Sequence, residues 1–281
     1  MSPTTTQPIN RVALAGDTHG LAVLLEAVPK QRIGCLIAAG NRPQYIEPLE
    51  AIAHSLGVPL LVQPKSCKTN PDAYRQFLSR FVDTGCNGLF CFSYAMKLQP
   101  DLLACLEGRA FNCHAALLPR HRGPNPIQWA LIHGDEQTGV TLHQMSPVID
   151  EGGIVAQLPV DIDDGDTWTT LRDKIDTAAR QLLVDWLPKL LAGAQPIHPQ
   201  ESRQALSNPR LTPEYPRIDF AAMDDRQIFN LIRAQVAPLR GAYIELSESE
   251  RLYLDHYMPY EDVAKLRQTY DKPVLFPANF C

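Results

Sequence analysis

Short runs of apolar, often β-branched residues recur along the first half of the chain: RVALAG (11–16), CLIAA (35–39), PLLVQ (59–63), GLFCFS (88–93) and AFNCHA (110–115). They alternate with stretches of helical period at 20–30, 44–56, 71–83 and 124–134. A strand–helix–strand rhythm of this kind buries its apolar faces by laying the strands side by side and returning through a helix each time. It predicts an α/β chain whose mainly parallel sheet is covered by helices on both faces. In such sheets a ligand crevice opens at the carboxyl ends of the strands.

The second half has a different texture. After GVTLHQM (139–145) and IVAQLPVDI (154–162) comes a strongly periodic helix over 167–192, in which Trp168, Leu171, Ile175, Ala178, Leu182, Trp186 and Leu190 recur every three or four residues. The polar stretch PIHPQESRQALSNPR reads as a linker. One more helix (225–236) and two strand-like runs (241–246 and 251–257) follow it. The expected layout is a Rossmann-like domain over 11–205 and a small α+β domain over 206–281, with no internal repeat.

The 281 residues, 45% hydrophobic and 20% charged, can bury a sizeable core without disulfides or metals. A net charge of -5 argues against a broad nucleic-acid footprint. The seven cysteines (Cys35, Cys67, Cys86, Cys91, Cys105, Cys113 and Cys281) form no C-x-x-C pair and read as reduced thiols of a cytoplasmic protein. Residues 1–10 carry polar groups and prolines where a signal peptide needs an apolar core, and no run approaches a membrane span. A flexible tail and a soluble protein are expected.

The first candidate site is G-D-T-H-G at 16–20, directly after a strand. Asp17 and His19 are spaced like the opening ligands of a two-metal phosphoesterase, but that chemistry needs further clusters. The only later G-N, Gly40-Asn41, is followed by Arg42. A turn is the stronger reading, with the glycines easing the backbone and Asp17 or Thr18 capping the next helix. No metal is expected, and no G-x-G-x-x-G marks a dinucleotide site.

The informative stretch runs from 111 to 153. Asn112 and His114 stand two apart on a strand, so both leave the same face, while Phe111 and Cys113 serve the other. Two polar groups inside a parallel sheet need a reason. A hydrogen-bonded core pair is one; a reaction centre is the other. The second gains from V-I-D-E-G-G, which sets Asp150 in a glycine-bounded turn. An amide, an imidazole and a carboxylate suit acyl transfer to an amine: Asn112 donates to an oxyanion, His114 takes a proton, and Asp150 orients the imidazole or relays the proton.

The same stretch resembles the formyltransferase family that includes methionyl-tRNA formyltransferase, glycinamide ribonucleotide formyltransferase and the sugar N-formyltransferases. The matching pattern is Asn112, His114, Leu117-Leu118-Pro119, Arg122-Gly123, Pro126, Trp129, Gly139-Val140-Thr141-Leu142-His143 and Asp150-Glu151-Gly152. The resemblance implies Asn112, His114 and Asp150 as the catalytic trio and 10-formyltetrahydrofolate as donor. It also implies a pteridine slot lined by Tyr94, Met96 and Leu98 together with Ile149 and Asp150. Ala116 departs from the pattern, since many relatives carry Ser there.

Arg120, His121 and Arg122 follow Pro119 and are candidates for acceptor phosphates, a solvated basic turn being the plain alternative. His143 reads as structural support, and Phe220, Tyr243 and Tyr253 as packing of the small domain rather than base stacking. The stretch RLTPEYPRIDF resembles the entry to the carboxyl-terminal domain of the tRNA and sugar members, and the remainder is short for the tRNA enzyme's barrel. The acceptor expected is the amine of a nucleotide-linked amino deoxysugar. The alternatives are an amino acid or hydroxyornithine, methionyl-tRNA and, outside formyl transfer, a metallophosphoesterase or a folate-binding scaffold. The short terminal strands offer an edge for a homodimer.

Overall fold

The computed structural model of the chain describes residues 4–5, 7–195 and 197–271. The strands are β1 (Thr4–Thr5), β2 (Val12–Gly16), β3 (Ile33–Ala39), β4 (Leu60–Gln63), β5 (Gly88–Phe92), β6 (Ala110–His114), β7 (Gln137–Gln144), β8 (Ile154–Asp161), β9 (Ala194–Gln195), β10 (Ala242–Glu245) and β11 (Arg251–Leu254). The helices are α1 (Thr18–Ala27), α2 (Ile46–Leu56), α3 (Pro71–Asp83), α4 (Pro100–Cys105), α5 (Pro126–His133), α6 (Trp168–Leu191), α7 (Asp225–Arg233) and α8 (Tyr260–Tyr270). Two compact units result. One holds residues up to Arg122 with Gly139–Pro159 and Ile175–Leu206; the other holds Gly123–Thr138, Val160–Lys174 and the stretch from Ser207.

The first unit is built on a sheet of order β4-β3-β2-β5-β6-β7-β8, the Rossmann-like α/β arrangement expected from the alternating runs. From β4 to β6 neighbouring strands are parallel; β7 runs antiparallel to β6. Every residue of β2, β3 and β5 is buried, which is why these strands read as unbroken apolar runs. On one face Ala13, Ala15, Cys35, Ile37, Leu89 and Cys91 pack with Tyr74, Phe77 and Phe81 of α3 and Leu102 of α4. The alternate residues Val12, Leu14, Leu36, Phe90 and Phe111 are buried too, with the Phe90 and Phe111 rings stacked at 5.5 Å.

The G-D-T-H-G turn is a helix start. The Asp17 side chain accepts from the Gly20 N–H at 2.7 Å and caps α1, and His19 pairs with Asp176 of α6. Its glycines are dictated by a close crossing: a Cβ on Gly16 or Gly20 would lie 2.5 or 2.1 Å from the Phe92 carbonyl oxygen. Among the described residues no group of His, Cys, Asp or Glu is placed to hold a metal ion. No described helix is long and apolar enough to cross a membrane.

The expected tail is corrected in part. Ile9 is fully buried and its N–H donates to the Leu191 carbonyl at 2.9 Å, and β1 pairs with β9. Residues 1–3 and 6 lie outside the described residues, as does Cys281; the other six cysteines are free thiols.

In the second unit, the α7 capping box of Asp224 and Gln227 starts a helix that packs on both α5 and α8. This corrects the single cut near 205, because α5 belongs here: Ile132 packs with Phe229, Ile232 and Val263. The Trp129 indole donates to the Pro209 carbonyl at 2.9 Å and its ring meets Tyr215 edge-on at 5.1 Å. Phe220 and Tyr243 pack as expected, and Tyr253 lies 5.6 Å from the Tyr243 ring. The α7 helix ends at Arg233 instead of 236, and α4 and α8 were absent from the periodicity.

Replacing Gly20 by Ala drives a Cβ into the Phe92 carbonyl and is expected to cost about 1–3 kcal/mol, whereas Gly165→Ala, which meets nothing within 4 Å, should stay within about 0.5 kcal/mol. Urea unfolding of the two variants checks the contrast.

Candidate active site

The register of β6 against β7 assembles the polar centre. Asn112 stands opposite His143 and His114 opposite Thr141, so alternation places all four side chains on one face of the sheet. Asn112 Nδ2 lies 3.1 Å from His143 Nε2, and His143 Nδ1 lies 3.0 Å from the Gln144 carbonyl oxygen. Only an N–H can meet a carbonyl, so Nδ1 carries the hydrogen and Nε2 accepts from the Asn112 amide. Burial holds His143 well below the ordinary imidazole value, at about 4, against the opposing pull of the Asp150 carboxylate.

His114 is oriented in the same way from the other side. Its Nε2 donates to the His121 carbonyl oxygen at 2.8 Å, which turns Nδ1 toward Asp150 Oδ2 at 3.6 Å. The other oxygen of Asp150, Oδ1, lies 3.6 Å from His143 Nε2, so one carboxylate faces both imidazoles. Asp150 sits in the loop between β7 and β8, which is closed where the Gln144 N–H donates to Gly153 O at 2.9 Å. That loop therefore leans over the sheet face bearing Asn112 and His114. Asp150 and His121 both have left-handed backbones, φ 55° and 56°, each at a cost of about 1–3 kcal/mol that the surroundings must offset.

The surroundings do so through a clamp. Gln200 Nε2 donates to the carbonyl oxygens of Asp150 and Gly152, both at 2.8 Å. Gln200 Oε1 accepts from Arg122 Nη2 at 2.7 Å and Nε at 3.1 Å, while Arg122 Nη1 donates to Glu151 Oε1 at 3.0 Å. Gly152 is obligatory, because a Cβ there would lie 1.7 Å from Gln144 O. Beneath the site, Thr141 Oγ1 donates to Ala116 O at 2.6 Å and accepts from Leu118 N and Gln157 Nε2.

The structure brings Asn112, His114 and Asp150 together around His143, and adds Gln200, which lies in the stretch that reads as a linker and carries no local signal. Arg122 is corrected: its buried guanidinium is committed to Gln200 and Glu151 and does not offer itself to acceptor phosphates. His121 is 2% exposed and serves His114 through its carbonyl, so Arg120 alone of the three is exposed. Leu98 is also corrected, being 1% exposed in the core with no side-chain surface for a slot. The Tyr94 hydroxyl donates to Gln63 Oε1 at 2.7 Å, and Gln63 Nε2 in turn holds the Lys97 carbonyl at 2.9 Å. Met96 is half-buried, and Val148 and Ile149 are each 54% exposed beside Asp150.

A formyl transferase family model matches residues 10–187, well over half of the chain, and the chain belongs to that family. It is an enzyme that transfers formyl groups. A sugar N-formyltransferase from a Shewanella species is similar in fold, with a TM-score of 0.68 and 19% identity over 89% of this chain and 97% of that one. A 4-N formyltransferase from Francisella tularensis gives 0.68 and 15% over 89% and 98%. The phosphoribosylglycinamide formyltransferase of Brucella melitensis gives 0.55 and 27% over 66% and 97%.

Two outcomes follow from the geometry. Between pH 6.5 and about 4 the unfolded chain protonates His143 while the folded chain does not. The contribution of this residue is therefore full above pH 6.5 and lost as pH falls toward 4, on the order of 3 kcal/mol in all. Urea unfolding from pH 7.5 to 5 should show a shallower loss in His143→Gln than in the parent; parallel curves refute the assignment. Gln200→Ala removes the acceptor of Arg122 Nε and Nη2 and the donor to the Asp150 and Gly152 carbonyls, and should cost about 2–4 kcal/mol by the same measurement.

Proposed function

We propose that the enzyme moves a formyl group from 10-formyltetrahydrofolate to the primary amine of a small acceptor, a nucleotide-linked amino deoxysugar. The observation that carries this reading is the face-to-face arrangement of the Asn112–His143 pair with the His114–Asp150 pair. The donor supplies an activated formyl carbon and a flat pteridine. The exposed side chains of Val148 and Ile149 and the half-buried Met96 offer apolar surface for such a ring, on loops held by Gln63 and the Gln200 clamp.

Asn112 gives one N–H to His143, and the second N–H of the same nitrogen donates to the oxygen of the formyl group as it gains negative charge. The attacking amine must shed a proton. Both nitrogens of His114 are directed inward, one to the His121 carbonyl and one to Asp150, so the carboxylate meets the amine proton first. His114 Nδ1 takes that proton from Asp150 and returns it to the donor nitrogen as the bond between that nitrogen and the formyl carbon breaks, so the formamide forms and tetrahydrofolate leaves protonated. His143 stays neutral throughout and acts by holding Asn112.

The sugar acceptor is supported by the extent of the likeness: the Shewanella sugar N-formyltransferase fold spans 89% of this chain, the phosphoribosylglycinamide enzyme 66%. Arg120, exposed on the loop after Pro119, is the residue proposed to meet an acceptor phosphate. Free thiols throughout the described residues suit a reducing, cytoplasmic setting.

Purified enzyme with 10-formyltetrahydrofolate should release tetrahydrofolate with an amino-deoxysugar nucleotide and not with hydroxyornithine or initiator methionyl-tRNA. Asn112→Ala should lower kcat about 100- to 1,000-fold with little change in KM for the acceptor. Release with either of the other amines reassigns the acceptor, and release with none of them sinks the reading.

A further inference from the structure

The end of the sheet away from the reaction centre holds a second chemical feature. At the amino ends of β2 and β3 a surface cavity of about 400 Å3 is lined in part by Arg11, Gly34, Arg80 and Thr84. Beside it Cys35, on β3 and fully buried, and Cys86, 9% exposed in the connection between α3 and β5, meet with their sulfurs 3.9 Å apart. The connection is fixed on both sides: the Cys86 N–H donates to Thr84 Oγ1 at 3.2 Å, and the Asn87 and Gly88 N–H groups donate to the Arg11 carbonyl at 2.9 and 3.2 Å.

Gly34 makes the meeting possible. The point its Cβ would occupy is 2.4 Å from Cys86 Sγ and 2.6 Å from Arg11 Nε, so a guanidinium and a thiol converge on a space that any other residue would fill. We propose that Cys86 is an oxidisable thiol for hydroperoxides entering through this cavity, and that Cys35 resolves the product to an intramolecular disulfide. A cavity of this volume admits several waters or a small peroxide.

The chemistry balances without a further reactant. The Cys86 thiolate attacks one oxygen of the hydroperoxide; the S–O bond forms, the O–O bond breaks, and the other oxygen leaves as an alcohol, or as water from hydrogen peroxide, with the thiol's proton. Cys86 is oxidised by two electrons to a sulfenic acid. The Cys35 sulfur then attacks the Cys86 sulfur, the S–S bond forms, and the hydroxyl leaves as water with the proton of Cys35. The sulfurs must close from 3.9 Å to about 2 Å. A hydrogen bond from Cys35, aided by Arg11 and opposed by burial, lowers the Cys86 thiol below its ordinary value, while the same hydrogen bond and burial raise Cys35. Burial alone pushes Cys113 up to about 12 and Cys91 higher still, with the Cys113 charge adding to Cys91, so neither competes as a nucleophile.

This inference is independent of the acceptor. Its test uses the full-length enzyme treated with hydrogen peroxide, then alkylated with N-ethylmaleimide, digested and mapped by mass spectrometry. The expected result is a peptide pair joined through Cys35 and Cys86, reversed by dithiothreitol. Arg11→Met should slow closure about tenfold. In Cys35→Ser, which keeps a hydrogen-bond donor beside Cys86 but cannot form the disulfide, and is checked for native circular dichroism, dimedone should label Cys86. The proposal is overturned if both thiols remain alkylatable after exposed Cys105 has been oxidised, or if the linkage joins Cys86 to another cysteine. It is equally overturned if Cys35→Ser is native and leaves Cys86 unlabelled.

Discussion

The pairing of β6 with β7 is the constraint on which the reaction centre depends. A one-residue slip of β6 would move Asn112 and His114 to the opposite face and set Phe111 and Cys113 beside His143 and Thr141 in their place. The register is held from several directions at once: Met145 N–H to Ala110 O at its end, Thr141 to the backbone of Ala116 and Leu118 at its middle, and the apolar neighbours Phe111, Cys113 and Leu142 buried in the core. An amide placed by a strand ladder is placed more rigidly than one on a loop, which suits the positioning role proposed for Asn112.

The acid differs. Asp150 belongs to a loop, has a left-handed backbone, and is positioned by contacts from far along the chain: Gln200 to its own carbonyl and to that of Gly152, with Arg122 bracing Gln200. Left-handed backbones also occur at Ser93, Glu107 and Asn125, so Asp150 and His121 share this conformation with other turns of the described residues.

How much of this can be read in the residues alone follows from what each pattern encodes. The strands β2, β3 and β5 are legible because burial on both faces demands unbroken apolar runs, and Asn112 and His114 are legible because they break such a run. Strand direction leaves no mark of that kind, so the antiparallel β7 could not be distinguished from a parallel strand. The two short helices α4 and α8 carry too few apolar positions to set a period. Gln200 is illegible for a different reason: a polar residue in an irregular stretch looks like any other until the turn that it holds is brought to it by the fold. Arg122 misleads in the opposite sense, since a basic residue beside a site invites an anion in the sequence and meets a glutamine and a glutamate in space.

The carbonyl of Gln144 has an influence out of proportion to its chemistry. By claiming the hydrogen of His143 Nδ1 it selects the tautomer of that ring, and the tautomer selects which end of the Asn112 amide turns inward. A proton added to His143 at Nε2 would reverse the choice, turning the Asn112 oxygen toward the ring in place of its N–H. One backbone oxygen on a β-strand therefore sets the polarity of the Asn112 amide, and the burial of His143, which holds it at about 4, keeps that setting well below neutral pH.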